Sequence, residues 1–270
     1  MVYVVSCVNL KGGVGKTALA VNFAAYCGLS GMKTLLVDLD PQTNATLSCI
    51  SIDEWEEHAK KKGTVANLLD ARKHTSAEGA EVSVEDVIRY DVFDNVDLIP
   101  SHMDLFTVDL DLASATARER KLSKALKPIK DNYQIIVCDC PPNLTIPTQN
   151  ALAASTHYVV PISPDFLSGI GVGLLLNRIN HLCDDLEKEI THVGIVISRV
   201  GRPALHREQT IEALRQRFGD LVLENVIKER VKVSEAAQAN KPIYSIDNGD
   251  AASEFEAVSE ELLKRIGAQQ

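Results

Sequence analysis

The chain has 270 residues, 45% hydrophobic and 24% charged, with 28 basic against 37 acidic side chains and a net charge of −9. That composition supports a packed core and excludes disorder, collagen and coiled coil. It is also too acidic for a general polyanion-binding surface, so contact with nucleic acid or an anionic membrane requires a local patch. The six cysteines, at 7, 27, 49, 138, 140 and 183, follow an opening, MVYVVSCVNLKGG, that does not read as a secretory leader. The expectation is a cytoplasmic protein with reduced thiols. The longest uncharged stretch, residues 141–164, holds five prolines and several amides, so it does not read as a membrane span.

In chain order, residues 2–9 form a valine-rich run, the pattern of a strand buried on both faces. A glycine cluster follows, then a helical pattern over 16–29 stopped by Gly31, and a second buried strand over 34–37. Strand, helix and strand at this spacing make a βαβ unit and a parallel sheet. Residues 51–62 read as a surface helix or loop. Residues 65–69 and 84–89 read as helices with a polar loop at 73–80 between them. A short strand at 96–99 precedes a long exposed helix at 105–126, and 135–138 is a central strand. Strands at 158–162, 193–198 and 221–227 then alternate with helices at 169–183, 208–218 and 252–266. The expected fold is α/β, a doubly wound, mostly parallel sheet with helices on both faces, as one domain over residues 1–270.

The sharpest motif is Lys11-Gly12-Gly13-Val14-Gly15-Lys16-Thr17 at a strand-to-helix junction. An ordinary phosphate loop, GxxxxGK[ST], would begin with glycine at position 10, where Leu10 stands. Glycines let backbone N–H groups turn inward around phosphate oxygens, and the next helix presents its positive end to them. Lys16 is placed for the β- and γ-phosphates and the Thr17 hydroxyl for Mg²⁺. Asp139 ends a buried strand, where a lone carboxylate is costly unless it is paired or faces a metal. Asp40 leaves the second strand at the same sheet edge, placed to orient an attacking water or to help hold Mg²⁺. A turn-forming Asp before Pro41 is its plainer reading. For Asp38 a strand-end role and a functional one stand equal.

KGGVGKT, LLVDLDPQTNAT and IIVCDCPPNLT, in that order, resemble the ParA/MinD group of P-loop ATPases with a deviant Walker A motif. VVPISPDF, FGDLVLENVIKERVKVSEA and NKPIY extend the resemblance over most of the chain. It implies an Mg²⁺-dependent ATPase that binds ATP through Lys11, Gly12, Gly13, Val14, Gly15, Lys16, Thr17 and Ala18. Lys11 matches the signature lysine that reaches the partner's phosphates in a nucleotide-sandwich dimer. Asp40 matches the aspartate needed for hydrolysis and Asp139 the Walker B aspartate, so Thr17, Asp40 and Asp139 are the implied Mg²⁺ set. Lys228 and Glu229 fall near the adenine pocket, in a segment where relatives usually read Pro-Arg-Asn.

The resemblance further implies an ATP-dependent homodimer that binds DNA without sequence preference. It would be nucleoid-associated, would position a plasmid, chromosome or protein assembly, and would be reset when a ParB-like or cargo-adaptor protein stimulates hydrolysis. Residues 199–232 hold eight basic and five acidic side chains, a local +3. Within them Arg202, Arg230 and Lys232 fall where ParA-like proteins carry DNA-contacting residues. The alternative is a MinD-like membrane-associated ATPase, but SEELLKRIGAQQ offers few cations for an amphipathic anchor, so no membrane partner is expected. No CxxC, GxSxG or closely spaced histidine pair points to other chemistry, and Cys138 and Cys140 read as packing thiols.

Overall fold

The computed structural model describes residues 2–69, 82–112, 115–165, 168–201 and 205–268. Its strands are β1 (Tyr3–Cys7), β2 (Thr34–Asp38), β3 (Arg89–Phe93), β4 (Val96–Ile99), β5 (Ile135–Asp139), β6 (His157–Ile162), β7 (Thr191–Val200) and β8 (Val222–Lys228). They form one eight-stranded sheet in the order β3-β4-β2-β5-β1-β6-β7-β8. Pairing is parallel throughout except between β3 and β4, an antiparallel hairpin at one edge. Asn95, at φ 57°, makes the turn of that hairpin.

Parallel neighbours need crossovers, and helices supply them on both faces. The helices are α1 (Lys16–Leu29), α2 (Asn44–Cys49), α3 (Ile52–Lys61), α4 (Val65–Leu68), α5 (Val84–Val87), α6 (Val108–Asp111), α7 (Lys121–Leu126), α8 (Ile146–Ala154), α9 (Ser168–Leu186), α10 (Leu205–Phe218), α11 (Val231–Gln238) and α12 (Asp250–Ile266). Val5, Leu36 and Val137 face one core with α1, α2, α3, α11 and α12. Val4, Leu35 and Ile136 face the other with α4 to α10. Burial on both faces explains why the central strands read as continuous apolar runs. Among the described residues, no helix is long and apolar enough to cross a membrane.

Two expectations are corrected. The exposed helix over 105–126 is replaced by the short α6 and α7, with single 3₁₀ turns at Met103–Phe106 and Arg118–Arg120. Leu105, Val108, Leu112, Leu122 and Leu126 are buried, so the periodicity reported a face turned to the core rather than to water. Ala117 lies at φ 52°, a left-handed conformation that no continuing helix adopts. The helix over 84–89 ends at Val87, because Arg89 opens β3 opposite Leu98. The loop at 73–80 lies outside the described residues. Helices α2, α8 and α11 escaped the sequence reading because each is short or begins in turn-like sequence.

In the last turn of α1, Gly28 lies against the β3–β4 hairpin: Asn95 Nδ2 donates to the Gly28 carbonyl at 3.1 Å. A Cβ there would collide with the Asp94 carbonyl oxygen. Gly28→Ala is therefore expected to destabilise the fold by about 1–3 kcal/mol, as overpacking does. A lower urea midpoint at unchanged m-value would register it.

Candidate active site

The loop between β1 and α1 is shaped by two left-handed glycines, Gly13 at φ 73° and Gly15 at φ 83°. Side chains rarely adopt that conformation, which is why glycines stand there. Neighbouring side chains hold the loop from outside. Asn9 Oδ1 accepts from Lys11 N at 2.9 Å while Asn9 Nδ2 donates to the Pro161 carbonyl at 2.7 Å. From the end of β7, Ser198 Oγ donates to the Val14 carbonyl at 2.5 Å and Arg199 Nη1 to the Gly13 carbonyl at 2.8 Å. Carbonyls fixed outward leave the loop's N–H groups free to turn inward. Arg199 Nη2 also bonds Glu229 at 2.6 Å and ties the loop to the end of β8. Ser198 and Arg199 are not legible as site residues, because only the strand order brings them to the loop, and Asn9, two residues before Lys11, carries no motif of its own.

Lys16 is buried and its Nζ donates to the Lys11 carbonyl at 3.1 Å. Burial lowers its pKa, against the opposing pull of Asp139, Cys140 and Asp40. Parallel register sets Asp38, the last residue of β2, beside Asp139, the last of β5. Asp38 is fully buried and well bonded. It accepts from Thr46 N at 2.8 Å, Thr46 Oγ1 at 2.7 Å and Asp40 N at 3.0 Å. Burial still pushes its carboxyl up to about 7.

Asp139 contrasts with it. Both of its carboxylate oxygens are buried without a hydrogen-bond partner. Burial first, then the Asp38 and Asp40 carboxylates, raise its pKa, outweighing the nearby Thr17 hydroxyl and Lys16 ammonium. An orphaned carboxylate beside a threonine hydroxyl suits a divalent cation, which would supply the missing partner. Among the described residues no three His, Cys, Asp or Glu form a metal cage. Mg²⁺ needs none, because one or two carboxylates and substrate phosphates hold it.

Asp40 is buried, with Oδ1 accepting from Gln42 N at 2.9 Å. Its carbonyl accepts from Ser101 Oγ at 2.7 Å, so β4 and the segment after it brace the turn. The cleft here is about 720 Å³ and is lined by Gly12, Gly13, Gly15, Lys16, Thr17, Ala18 and Asp40 together with Lys228, Glu229 and Arg230. Val14 is buried beneath the loop. The structure thus gathers the glycine-loop residues and Lys228 and Glu229 around one cavity.

Lys11 is half exposed and bonds Asp165 Oδ2 at 2.5 Å in its own chain. Arg230 lines the cleft and bonds Glu254 at 2.7 Å and Asp250 at 3.0 Å. Lys232 bonds Glu235 at 2.8 Å. Arg202 lies outside the described residues. Cys138 and Cys140 are buried free thiols whose pKa values burial raises, to about 12 for Cys138, as packing cysteines behave.

A glycine loop running from a buried parallel strand into a helix, with a lysine and threonine at its end and strand-end aspartates beside it, defines a P-loop nucleotide-binding protein. Residues 2–192 match the AAA_31 family, an AAA domain. The chain is 33% identical over 265 residues to the sporulation initiation inhibitor protein Soj of Bacillus subtilis, covering 98% of each. It is 33% identical to the chromosome-partitioning ATPase Soj of Treponema pallidum, with 96% of each covered. The cell division protein PomZ of Myxococcus xanthus is 32% identical, with 96% of this chain and 77% of PomZ covered. The fold is shared with a plasmid partition protein from Borrelia burgdorferi (TM-score 0.77, 22% identity, 98% and 99% covered). It is shared equally with a Cyanothece McdA(D38A)–ATP complex (0.80, 19%, 100% and 98%). The chain belongs to the ParA/Soj family.

Proposed function

We propose that this protein is an Mg²⁺-dependent ATPase whose ATP-bound dimer holds DNA without sequence preference and positions a cargo. Hydrolysis stimulated by a ParB-like or adaptor protein resets it. The observation that carries the nucleotide reading is Asp139, whose two buried oxygens lack partners beside Thr17 and Lys16. Thr17, Asp139 and Asp40 would hold the Mg²⁺, which neutralises phosphate charge as it develops. Lys16 binds the β- and γ-phosphates, the loop N–H groups cradle them, and Asp40 orients the attacking water. Family membership supports the positioning role and the 98% coverage of a Soj protein supports extending it to the whole chain, which we take as one domain.

The packing of α12 supports the DNA reading over the membrane one. Leu262, Leu263 and Ile266 of α12 are at most 8% exposed and pack in the core, so these three side chains are not presented to a bilayer.

Lys11 is the residue proposed to reach the partner's phosphates, and to do so it must leave Asp165. Since that ion pair is half exposed, it holds Lys11 back by no more than about 1 kcal/mol. Asp165→Asn is therefore expected to lower the ATP concentration at which dimers form by at most about fivefold, measured by light scattering. A shift to higher ATP would overturn the assignment of Lys11 to the partner's site.

The function is tested by binding to a random-sequence duplex with ATP, with ADP and without nucleotide, at two salt concentrations. Salt-sensitive binding confined to ATP supports it. No binding in any state removes DNA as the matrix.

A further inference from the structure

Residues 101–112 run from the end of β4 through the 3₁₀ turn at Met103–Phe106 and α6, with apolar side chains on two stripes. Leu105, Val108 and Leu112 are buried in the core. Met103, Phe106 and Leu110 repeat the same spacing two positions out of step, and they are 58%, 58% and 79% exposed. One 3₁₀ turn separates the first two and about one α-turn the last two, so all three share a face. A single exposed apolar side chain is ordinary, whereas three adjacent ones on one face mark an interaction surface. The segment is also acidic, with Asp104, Asp109 and Asp111 and no lysine or arginine. Asp104 lies 3.2 Å from His102 Nδ1, and Asp111 accepts from Thr107 Oγ1 at 2.9 Å. Among the described residues, Asp109 and Asp111 have no basic partner.

This ledge is tied to both aspartate loops of the site. At its start, Ser101 Oγ donates to the Asp40 carbonyl at 2.7 Å and Ser101 N to Thr46 Oγ1 at 2.9 Å. Trp55 Nε1 steadies the same residue by donating to the Ser101 carbonyl at 2.9 Å. Near its end, Asp109 Oδ1 accepts from Ile146 N at 2.8 Å. Ile146 opens α8, at the far side of the loop that leaves Asp139. A shift of the ledge therefore strains hydrogen bonds at the Asp40 turn and at the segment after Asp139 together.

We propose that Met103, Phe106 and Leu110, bordered by Asp104 and Asp111, are the docking surface for a basic amphipathic segment of the protein that stimulates hydrolysis. This rests on the reading of the chain as an ATPase reset by a partner. Asp109 is then a positioning residue, passing the docking event to the first amide of α8. The acidic side chains repel DNA phosphates and anionic headgroups, so the apolar stripe is offered neither to a duplex nor to a bilayer. They also oppose a second copy laid face to face, since an isologous contact would set the same carboxylates against each other. Lysines flanking apolar anchors at i, i+3 and i+7 match both the charge and the stripe.

The test uses the full chain with ATP and Mg²⁺ and three synthetic peptides: a leucine–lysine amphipathic helix, its leucine-to-serine form and its lysine-to-glutamate form. Anisotropy of the labelled peptides reads docking, and phosphate release reads turnover. Wild type is expected to bind the leucine–lysine peptide in preference to the other two, with turnover raised at least about fivefold. F106S/L110S should bind it at least about tenfold more weakly at unchanged basal turnover, the scale of losing central apolar anchors. Both side chains are more than half exposed, so the fold should stand. D109A should bind the peptide as wild type does yet lose the stimulation. D109N keeps the acceptor oxygen for Ile146 N and should recover it, which a mere loss of stability in D109A would not predict. Binding no tighter to wild type than to F106S/L110S, or stimulation undiminished in D109A, would overturn the proposal. Turnover absent from wild type with and without peptide would instead defeat the ATPase reading beneath it.

Discussion

Lys16→Ala is expected to weaken ATP binding by about 10- to 150-fold. A charge-assisted hydrogen bond to a phosphate contributes roughly 1.5–3 kcal/mol, and Lys16 is the one cation buried at the end of the glycine loop. No neighbour replaces it. Lys11 is turned toward Asp165, and Arg199 is committed to Gly13 and Glu229. Fold damage should be small, because the Lys16 ammonium makes a single bond, to the Lys11 carbonyl. Two measurements separate binding from folding: calorimetric titration with ATP and Mg²⁺, and the thermal midpoint with and without nucleotide. Wild type should gain stability as ATP rises, by mass action, and the variant should not. A variant that still gains stability with ATP would remove Lys16 from the phosphate site.

Asp40→Ala should separate binding from turnover. The carboxylate makes one hydrogen bond, from Gln42 N. The turn around it is held by backbone atoms, with Asp40 N on Asp38 and the Asp40 carbonyl on Ser101. Truncating the side chain therefore leaves the cleft standing. ATP affinity is expected to stay within about threefold of wild type, while turnover falls at least about 100-fold, the scale on which a positioned base or water-orienting group acts. Single-turnover hydrolysis together with nucleotide titration reads both quantities. Turnover near wild type would dismiss Asp40 from the chemistry. A loss of affinity matching the loss of turnover would recast it as a binding residue.

Asp38 shows where reading by residue type stops. As a sequence position it was balanced between strand end and function. In the fold it accepts three hydrogen bonds and stands beside Asp139, so it organises the turn that carries Asp40. Thr46 and Ser101 complete this brace, with Ser101 N donating to Thr46 Oγ1 at 2.9 Å. Thr46 closes the LLVDLDPQTNAT motif, but Ser101 carries none, because it lies 55 positions away in sequence from Thr46. The segment over 105–126 failed for a related reason. It reads as an exposed helix, whereas its apolar side chains at 105, 108, 112, 122 and 126 are buried, and a pattern of side chains does not record that the backbone turns left-handed at Ala117.

The sequence by itself determined the sheet's central strands, α1 to the residue, the phosphate loop, and the family. These depend on local periodicity and on glycines whose conformations few other residues adopt. Only the tertiary structure decided which carboxylate lacks a partner, which side chains brace the loop, and which apolar side chains stay exposed. Those properties belong to pairs of groups brought together by strand order. A residue's charge is written in the sequence, but whether another residue neutralises it is settled by packing.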